Sequence, residues 1–497
     1  MKLKKIGYSL VFWCFIITLY VVTRTIKLKV IPIFTDEAIY SYWAQVALHD
    51  PQHRFISLED GKQPLFIWLA AILQRFISDP LIATRFVSVI SGLGSLIGIY
   101  LLSRKLFNEQ VAKLAMVLYI VLPFTLLYDR LALYDSLLTM LGIYAVYFSV
   151  LMVKKPDLGI ALLNGFAIGL ATITKSSGNF FLYLLPFSLI LFEKKNLQRN
   201  IIRWIPLSIL TAALSLVIYN SLRLSPLFYL IARKNLEFIR SPQEVIQNPL
   251  EYFFSNLTAI AGWLSTYLSL PLFIIFIFST LFVIYRKNIK GFYLIIIISA
   301  SLTAELLFNK ILYTRFVLFY VPYIIILIAF GIYNLKKVLK VNEKIKVIIV
   351  IALFALPALN SIKIIYQPTS ANIPKNDSDQ YLNSWPAGYG VEEVIKFIKP
   401  QSANQTINIA TEGTFGLMPY ALNIYFYQNT NVQIHSFWPL NPDDLPEQII
   451  QIAKKNKTYV IFYQTQKSIN NPSFKHISSY RQGIGNSYLR LYEIIPQ

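Results

Sequence analysis

The chain holds a single cysteine, Cys14, in 497 residues, so no intramolecular disulfide is possible and sulfur says nothing about compartment. The four histidines, His49, His53, His435 and His476, fall in no metal-binding spacing. His49 and His53 stand at i and i+4, but Asp50-Pro51 between them breaks the helix that such a pair needs. Charge is scarce as well: 14% of residues are charged, against 55% hydrophobic and 15% aromatic. Together with a mean hydropathy of +0.52, this excludes a soluble domain of this length and places the chain among polytopic membrane proteins. Acids are scarcest, 25 against 46 Lys and Arg, for a formal charge of +21. That excess does not imply a nucleic-acid partner, because most of it sits in short loops between apolar runs, as the positive-inside rule requires. No internal repeat is visible, and transporters usually carry one.

Long apolar runs are what the chain has instead. About eleven are near 18 residues or longer and qualify as spans, at roughly 6–23, 80–103, 111–128, 132–153, 158–174, 177–192, 202–220, 264–285, 291–308, 315–334 and 347–366. The first follows Lys2, Lys4 and Lys5 and reads as a retained signal anchor, since its core exceeds a signal peptide's and no small-residue cleavage site follows. With the N-terminus cytoplasmic, five cytoplasmic loops collect Arg104/Lys105/Lys113, Lys154/Lys155, Lys194/Lys195/Arg199/Arg203, Arg286/Lys287/Lys290 and Lys336/Lys337/Lys340/Lys344/Lys346. Two extracytoplasmic loops are then long, 24–79 and 221–263. In the first, Asp36 to Leu48 reads as a helix with Ile39, Trp43, Val46 and Ala47 on one side, and Leu65 to Ile77 is too short to cross the bilayer. The second mixes Arg223, Arg233, Lys234 and Arg240 with aromatics. Beyond Tyr366 unbroken apolar runs end. Residues 1–369 thus read as a membrane module and 370–497 as an extracytoplasmic α/β domain, with helical patterns at 391–399 and 446–455 and β-rich runs at 406–411, 423–427, 458–464 and 488–495.

Several ionisable residues fall on the outer face, where topology does not require them and where hydrocarbon makes them costly. They are Asp36 and Glu37, Lys62 in Gly61-Lys62-Gln63-Pro64, Arg85, Asp129, Arg130, Asp135, Lys175, Lys310 and Arg315. Carboxylates with a ring of cations at one membrane face suit a reaction on an anionic lipid headgroup, because a bound phosphate, and still more a departing one, needs Arg or Lys. Plainer readings stand beside this one. Asp36 and Glu37 are also where a helix favours acids, Asp129 and Asp135 also suit a structural pair with Arg130, and single lysines such as Lys175 and Lys310 also suit headgroup anchoring.

Three strings carry a resemblance: Thr35-Asp36-Glu37-Ala38-x-Tyr40, then Lys62-Gln63-Pro64-Leu65, then Tyr128-Asp129-Arg130-Leu131-Ala132-Leu133-Tyr134-Asp135-Ser136. Up to about residue 370 the chain resembles the GT-C membrane glycosyltransferases, in particular the protein O-mannosyltransferase and aminoarabinose (polyprenyl-phosphate sugar) transferase group. The segment Trp385-Pro386-Ala387-Gly388-Tyr389-Gly390-Val391 resembles a bacterial subgroup with such an appended domain. Relatives that transfer aminoarabinose carry an acid directly before the Lys-Pro motif; here Gly61 precedes Lys62 and Gln63 separates Lys from Pro.

The resemblance implies an enzyme at the outer face of the cytoplasmic membrane. It would move a sugar from a polyprenyl-phosphate donor to a hydroxyl of a protein, lipid or glycan by one inverting displacement. Asp36 would be the base, with Glu37 its alternative, and Asp135 would support the site; Lys62, Arg85, Asp129, Arg130 and Tyr40 would surround the donor. No cofactor is implied with certainty, and a divalent metal is left open. The rival class is a transporter or flippase of lipid-linked sugars; a membrane-anchored scaffold would leave the acid and base cluster unexplained.

Overall fold

The computed structural model describes residues 2–193, 197–338, 342–467 and 469–495; Lys194, Lys195 and Lys340 of the expected cytoplasmic loops lie outside them. The first half runs α1 (Lys2–Thr25), α2 (Thr35–His49), α3 (Leu65–Gln74), α4 (Pro80–Leu106), α5 (Glu109–Val121), α6 (Pro123–Asp129), α7 (Tyr134–Lys154), α8 (Leu158–Thr172), α9 (Phe180–Leu184) and α10 (Leu197–Asn220). It continues through α11 (Leu230–Phe238), α12 (Pro242–Gln247), α13 (Phe253–Leu268), α14 (Leu270–Tyr285), α15 (Ile289–Phe308), α16 (Val321–Val338) and α17 (Glu343–Tyr366).

Among the described residues, six helices are long and apolar enough to cross a membrane, and eight if each of two bent pairs is one span. Of the eleven runs read in the sequence, 111–128 and 264–285 are the bent pairs. Pro123 and Pro271 each open the second half of a bent pair, because a residue without an amide donor suits a helix start and not a helix interior. The pairs bend by 63° at α5/α6 and 114° at α13/α14. Leu158–Thr172 and Ser176–Leu191 are apolar but shorter than a span. The segment Thr314–Lys337 is the central one, with 89% of its apolar window buried, whereas Leu197–Leu224 and Glu343–Tyr366, at 17% and 22%, lie at the periphery.

Caps mark the helix starts. Asp79 accepts from the Ile82 amide at 2.9 Å and sets Pro80 at the first turn of α4, and Asn108 accepts from the Gln110 and Val111 amides to start α5.

After α17 come α18 (Lys375–Ser378), α19 (Val391–Gln401), β1 (Ile407–Glu412), α20 (Leu417–Phe426), β2 (Val432–Phe437), α21 (Glu447–Lys455), β3 (Lys457–Phe462), β4 (Phe474–Arg481) and β5 (Tyr488–Ile494). The sheet order is β2-β1-β3-β5-β4, parallel across β2, β1 and β3 and antiparallel beyond. The run 423–427, expected as a strand, is instead the end of α20. Its Ile424 and Phe426 are buried with Leu417, Ala421 and Leu422 in one cluster against the sheet, so packing overrides the β preference of the short stretch. α19 and α20 cover one face of the sheet and α21 the other. The first of these cores is not closed on itself: Ile33, Ala38 of α2 and Leu81 of α4 are buried in it.

Candidate active site

Asp36 sits in the first turn of α2, where its charge meets the helix's free amides. The turn is held from outside the membrane module. The Thr35 amide donates to the Pro386 carbonyl at 3.1 Å, and Phe34 pairs with Ala387 as an isolated antiparallel bridge. Gly388 follows, and a Cβ there would run into the Ile33 carbonyl, so the approach is open only to glycine. On the next turns of α2, Tyr42 stacks on Tyr420 at 4.9 Å and Gln45 donates to the Ile424 carbonyl at 2.9 Å. The Trp385–Val391 segment thus acts as a clip on the helix that carries Asp36.

Arg315 faces Asp36 from the turn that leads into α16, its Nη1 2.6 Å from Asp36 Oδ2. Lys62 Nζ lies 4.0 Å from the other carboxylate oxygen and 3.2 Å from Asp60 Oδ2. Gly61 makes this possible. With φ at 65° it closes the short helical turn Ile56–Asp60, and a Cβ on it would strike the Leu230 carbonyl and the Lys234 side chain of α11. Lys234 itself reaches Asp60 Oδ1 at 2.9 Å, so the 221–263 segment joins the cluster through one ion pair. Gln63 donates to the Ser176 hydroxyl at 2.6 Å and the Leu65 amide to the Ile173 carbonyl at 3.1 Å, which brings Lys175 beside the same loop. Lys175 pairs with Asp135 at 2.7 Å, at the start of α7. Tyr40 and Trp43 lie under Lys62, their ring centres 4.9 and 5.8 Å from its Nζ.

Burial works to raise the Asp36 carboxyl, but Arg315, Lys62 and Lys175 outweigh it and hold its pKa below the usual value. Burial lowers Lys175, offset in part by the Asp135 carboxylate and reinforced by Arg315. Burial and the Asp36 charge push the Tyr40 hydroxyl well up, so it stays a neutral donor. Asp36 is 15% exposed, Lys62 24% and Lys175 27%, so the cluster is sunk in the protein yet open at one mouth.

Of the eight residues that the resemblance assigned to the site, the structure brings Asp36, Lys62, Asp135 and Tyr40 together. The other four lie in buried networks, and Lys310 pairs with Glu244 away from the cluster. Glu37 and Arg85, both fully buried, form a two-pronged pair at 2.8 and 2.6 Å. Glu37 also accepts from the Ala132 amide, and the remaining Arg85 donors go to the Leu28, Ile31 and Pro32 carbonyls. Arg130 donates to the Thr23, Arg24, Ile26 and Lys27 carbonyls, closing the end of α1. Asp129 accepts from Tyr20, Tyr119, Ser136 and Arg24. Apart from the buried, unpartnered Arg130 Nε, these guanidinium groups direct their donors to carbonyls and carboxylates, which sets them apart from the open cluster. Arg315, Lys175, Asp60 and Lys234 take places there that the motif strings did not assign. Among the described residues no group of three or more His, Cys, Asp or Glu side chains could hold a metal ion.

The sequence pattern of the dolichyl-phosphate-mannose-protein mannosyltransferase family matches residues 61–222. No curated protein matches the chain in sequence. Among solved structures, it is similar to ArnT from Cupriavidus metallidurans in the apo state, at 13% identity and a TM-score of 0.56 over 99% of this chain and 98% of that one. The undecaprenyl phosphate complex of ArnT gives 15% identity and 0.56 over 98% of each chain. The Archaeoglobus fulgidus oligosaccharyltransferase, in complex with Zn and sulfate, gives 12% and 0.53 over 90% of this chain and 67% of that one. The chain therefore has the GT-C fold of these membrane transferases, and its 61–222 segment carries the mannosyltransferase family pattern.

Proposed function

We propose that the protein is a glycosyltransferase that moves a sugar from a polyprenyl-phosphate donor to an acceptor hydroxyl, with Asp36 as base. The observation that carries this reading is a partly exposed carboxylate, Asp36, set among the cations Arg315, Lys62 and Lys175. It is supported by the fold, and by the loop arginines and lysines, which suit an N-terminus in the cytoplasm and a site on the outer face of the cytoplasmic membrane.

The chemistry follows from the charges. The acceptor oxygen bonds to the anomeric carbon as the bond from that carbon to the phosphate oxygen breaks; polyprenyl phosphate leaves with the electron pair, and the hydroxyl proton passes to Asp36. One displacement inverts the anomeric centre. Arg315 and Lys62 neutralise the departing phosphate, so no acid is needed to protonate it. The same two cations hold Asp36 in the resting site. When they turn to the donor phosphate, burial of Asp36 is no longer offset, and the carboxylate becomes a stronger base as the donor arrives. Asp135 keeps Lys175 in place, and Tyr40 with Trp43 packs beneath Lys62.

The test is transfer from a set of polyprenyl-phosphate sugars by the purified chain beside Asp36→Asn, with donor binding measured in parallel. Loss of transfer with donor binding retained supports the base at Asp36. Movement of the lipid-linked sugar between leaflets with no consumption points to a flippase instead.

A further inference from the structure

Two aromatic side chains of the C-terminal domain stand half in solvent beside the first turn of α2: Phe415, 49% exposed, and Trp385, 42% exposed. Their chain neighbours both lie beside Thr35, the residue before Asp36. Pro386 accepts from the Thr35 amide at 3.1 Å, and a Cβ on Gly416 would lie 3.5 Å from Thr35 Cγ2. Phe415 also packs 6.3 Å from Trp43, whose ring lies 5.8 Å from Lys62 Nζ, and Trp385 packs 6.1 Å from Tyr463. A chain of ring contacts therefore runs from the cation cluster through the buried Trp43 to Phe415 at the domain's edge.

That edge is held firmly. Glu412, 2% exposed at the end of β1, accepts from the Tyr463, Gln464 and Thr465 amides and the Thr465 hydroxyl. The loops beyond the carboxyl ends of β1 and β3 are pinned together, at the edge where open α/β sheets bind ligands.

We propose that Trp385 and Phe415 form the acceptor subsite, gripping a carbohydrate ring by its apolar face so that one hydroxyl points to Asp36; this rests on the transferase reading above. A pyranose has a C–H face and a hydroxyl rim, which matches exposed aromatic rings with the Thr414 hydroxyl next in the chain to Phe415 and the Gln464 amide on Tyr463, the ring that Trp385 packs against. An extended peptide needs free backbone amides, and those of Tyr463, Gln464 and Thr465 are taken by Glu412. An acyl chain needs an unbroken apolar groove, which these polar side chains interrupt.

Binding of soluble mannan, galactan and glucan oligosaccharides to the full chain in detergent, read by saturation-transfer NMR without donor, tests the subsite. The wild type should bind at least one of the three; Trp385→Ala and Phe415→Ala should each weaken it by about tenfold or more, with Trp385→Phe keeping most of it. Thermal melting matched to the wild type controls for folding. Absence of oligosaccharide binding, or binding that neither alanine variant weakens, overturns the subsite. So does the opposite selectivity, in which the variants abolish binding of a Ser/Thr-rich peptide or an acylated glycolipid but no free sugar binds. Donor hydrolysis by the wild type, without acceptor, reports on the transferase reading separately.

Discussion

Arg315 Nη1 and Asp36 Oδ2 meet at 2.6 Å across 279 positions of sequence, and they tie the central buried segment to the first turn of α2. Because burial alone would raise the carboxyl, this contact sets the protonation state of the proposed base.

The pH profile should show it. With a depressed pKa, Asp36 is ionised throughout the neutral range, and its base form is lost only as pH falls through that low value. In Arg315→Met the acidic limb of kcat/KM should move to higher pH, beyond any drop in the plateau. A limb that stays in place would remove Asp36 from the role.

Glu37 and Arg85 should behave as a folding pair. Glu37→Gln or Arg85→Leu alone leaves a fully buried partner uncompensated, a loss on the order of 3–5 kcal/mol. The double replacement Glu37→Leu with Arg85→Leu should cost less than either. Thermal unfolding in detergent ranks the three, and equal melting of all of them would contradict the sealed network.

Gly388→Val should act on turnover. The added side chain meets the Ile33 carbonyl and displaces the clip on Thr35. A misplacement of about 1 Å at the reacting groups costs on the order of a hundredfold, so kcat should fall steeply while donor Kd changes little. Unaltered kcat would mean that the clip does not position Asp36.

Asp60 should couple two lysines. It pairs with both Lys62 and Lys234, so Lys234→Met and Asp60→Asn should be non-additive for donor affinity, with an interaction energy of roughly 0.5–3 kcal/mol in a double-mutant cycle. Additive effects would place Lys234 outside the donor site.

Much of the membrane architecture was legible, because apolar runs and basic loops follow from the bilayer alone. The GT-C fold was legible through the family resemblance that the strings around Asp36, Lys62 and Asp135 carry. Arg315 was visible as a charge at the outer end of a span, but nothing in the chain announces a partner 279 positions away. The same holds for Arg85 and Arg130: a cation near the outer face has one sequence signature whether it meets ligand or backbone carbonyls, and only packing separates the two. Strands β2 and β4 escaped notice because, as the two edges of the sheet, they keep polar residues such as Gln433, His435, Ser478 and Ser479. Among the described residues, proline bends two of the expected runs, and the runs at 158–174 and 177–192 form helices shorter than a span.

Ile33, Ala38 and Leu81 lie in the core of a domain whose strands begin at Ile407. A chain made from its N-terminus must insert these residues into the membrane module long before their packing partners leave the ribosome. The first turn of α2 then waits, unclipped, until Trp385–Val391 and the sheet have been made. A chain stopped before Trp385 would hold Arg315 and Lys62 but lack the Thr35–Pro386 hydrogen bond that tethers the turn carrying Asp36.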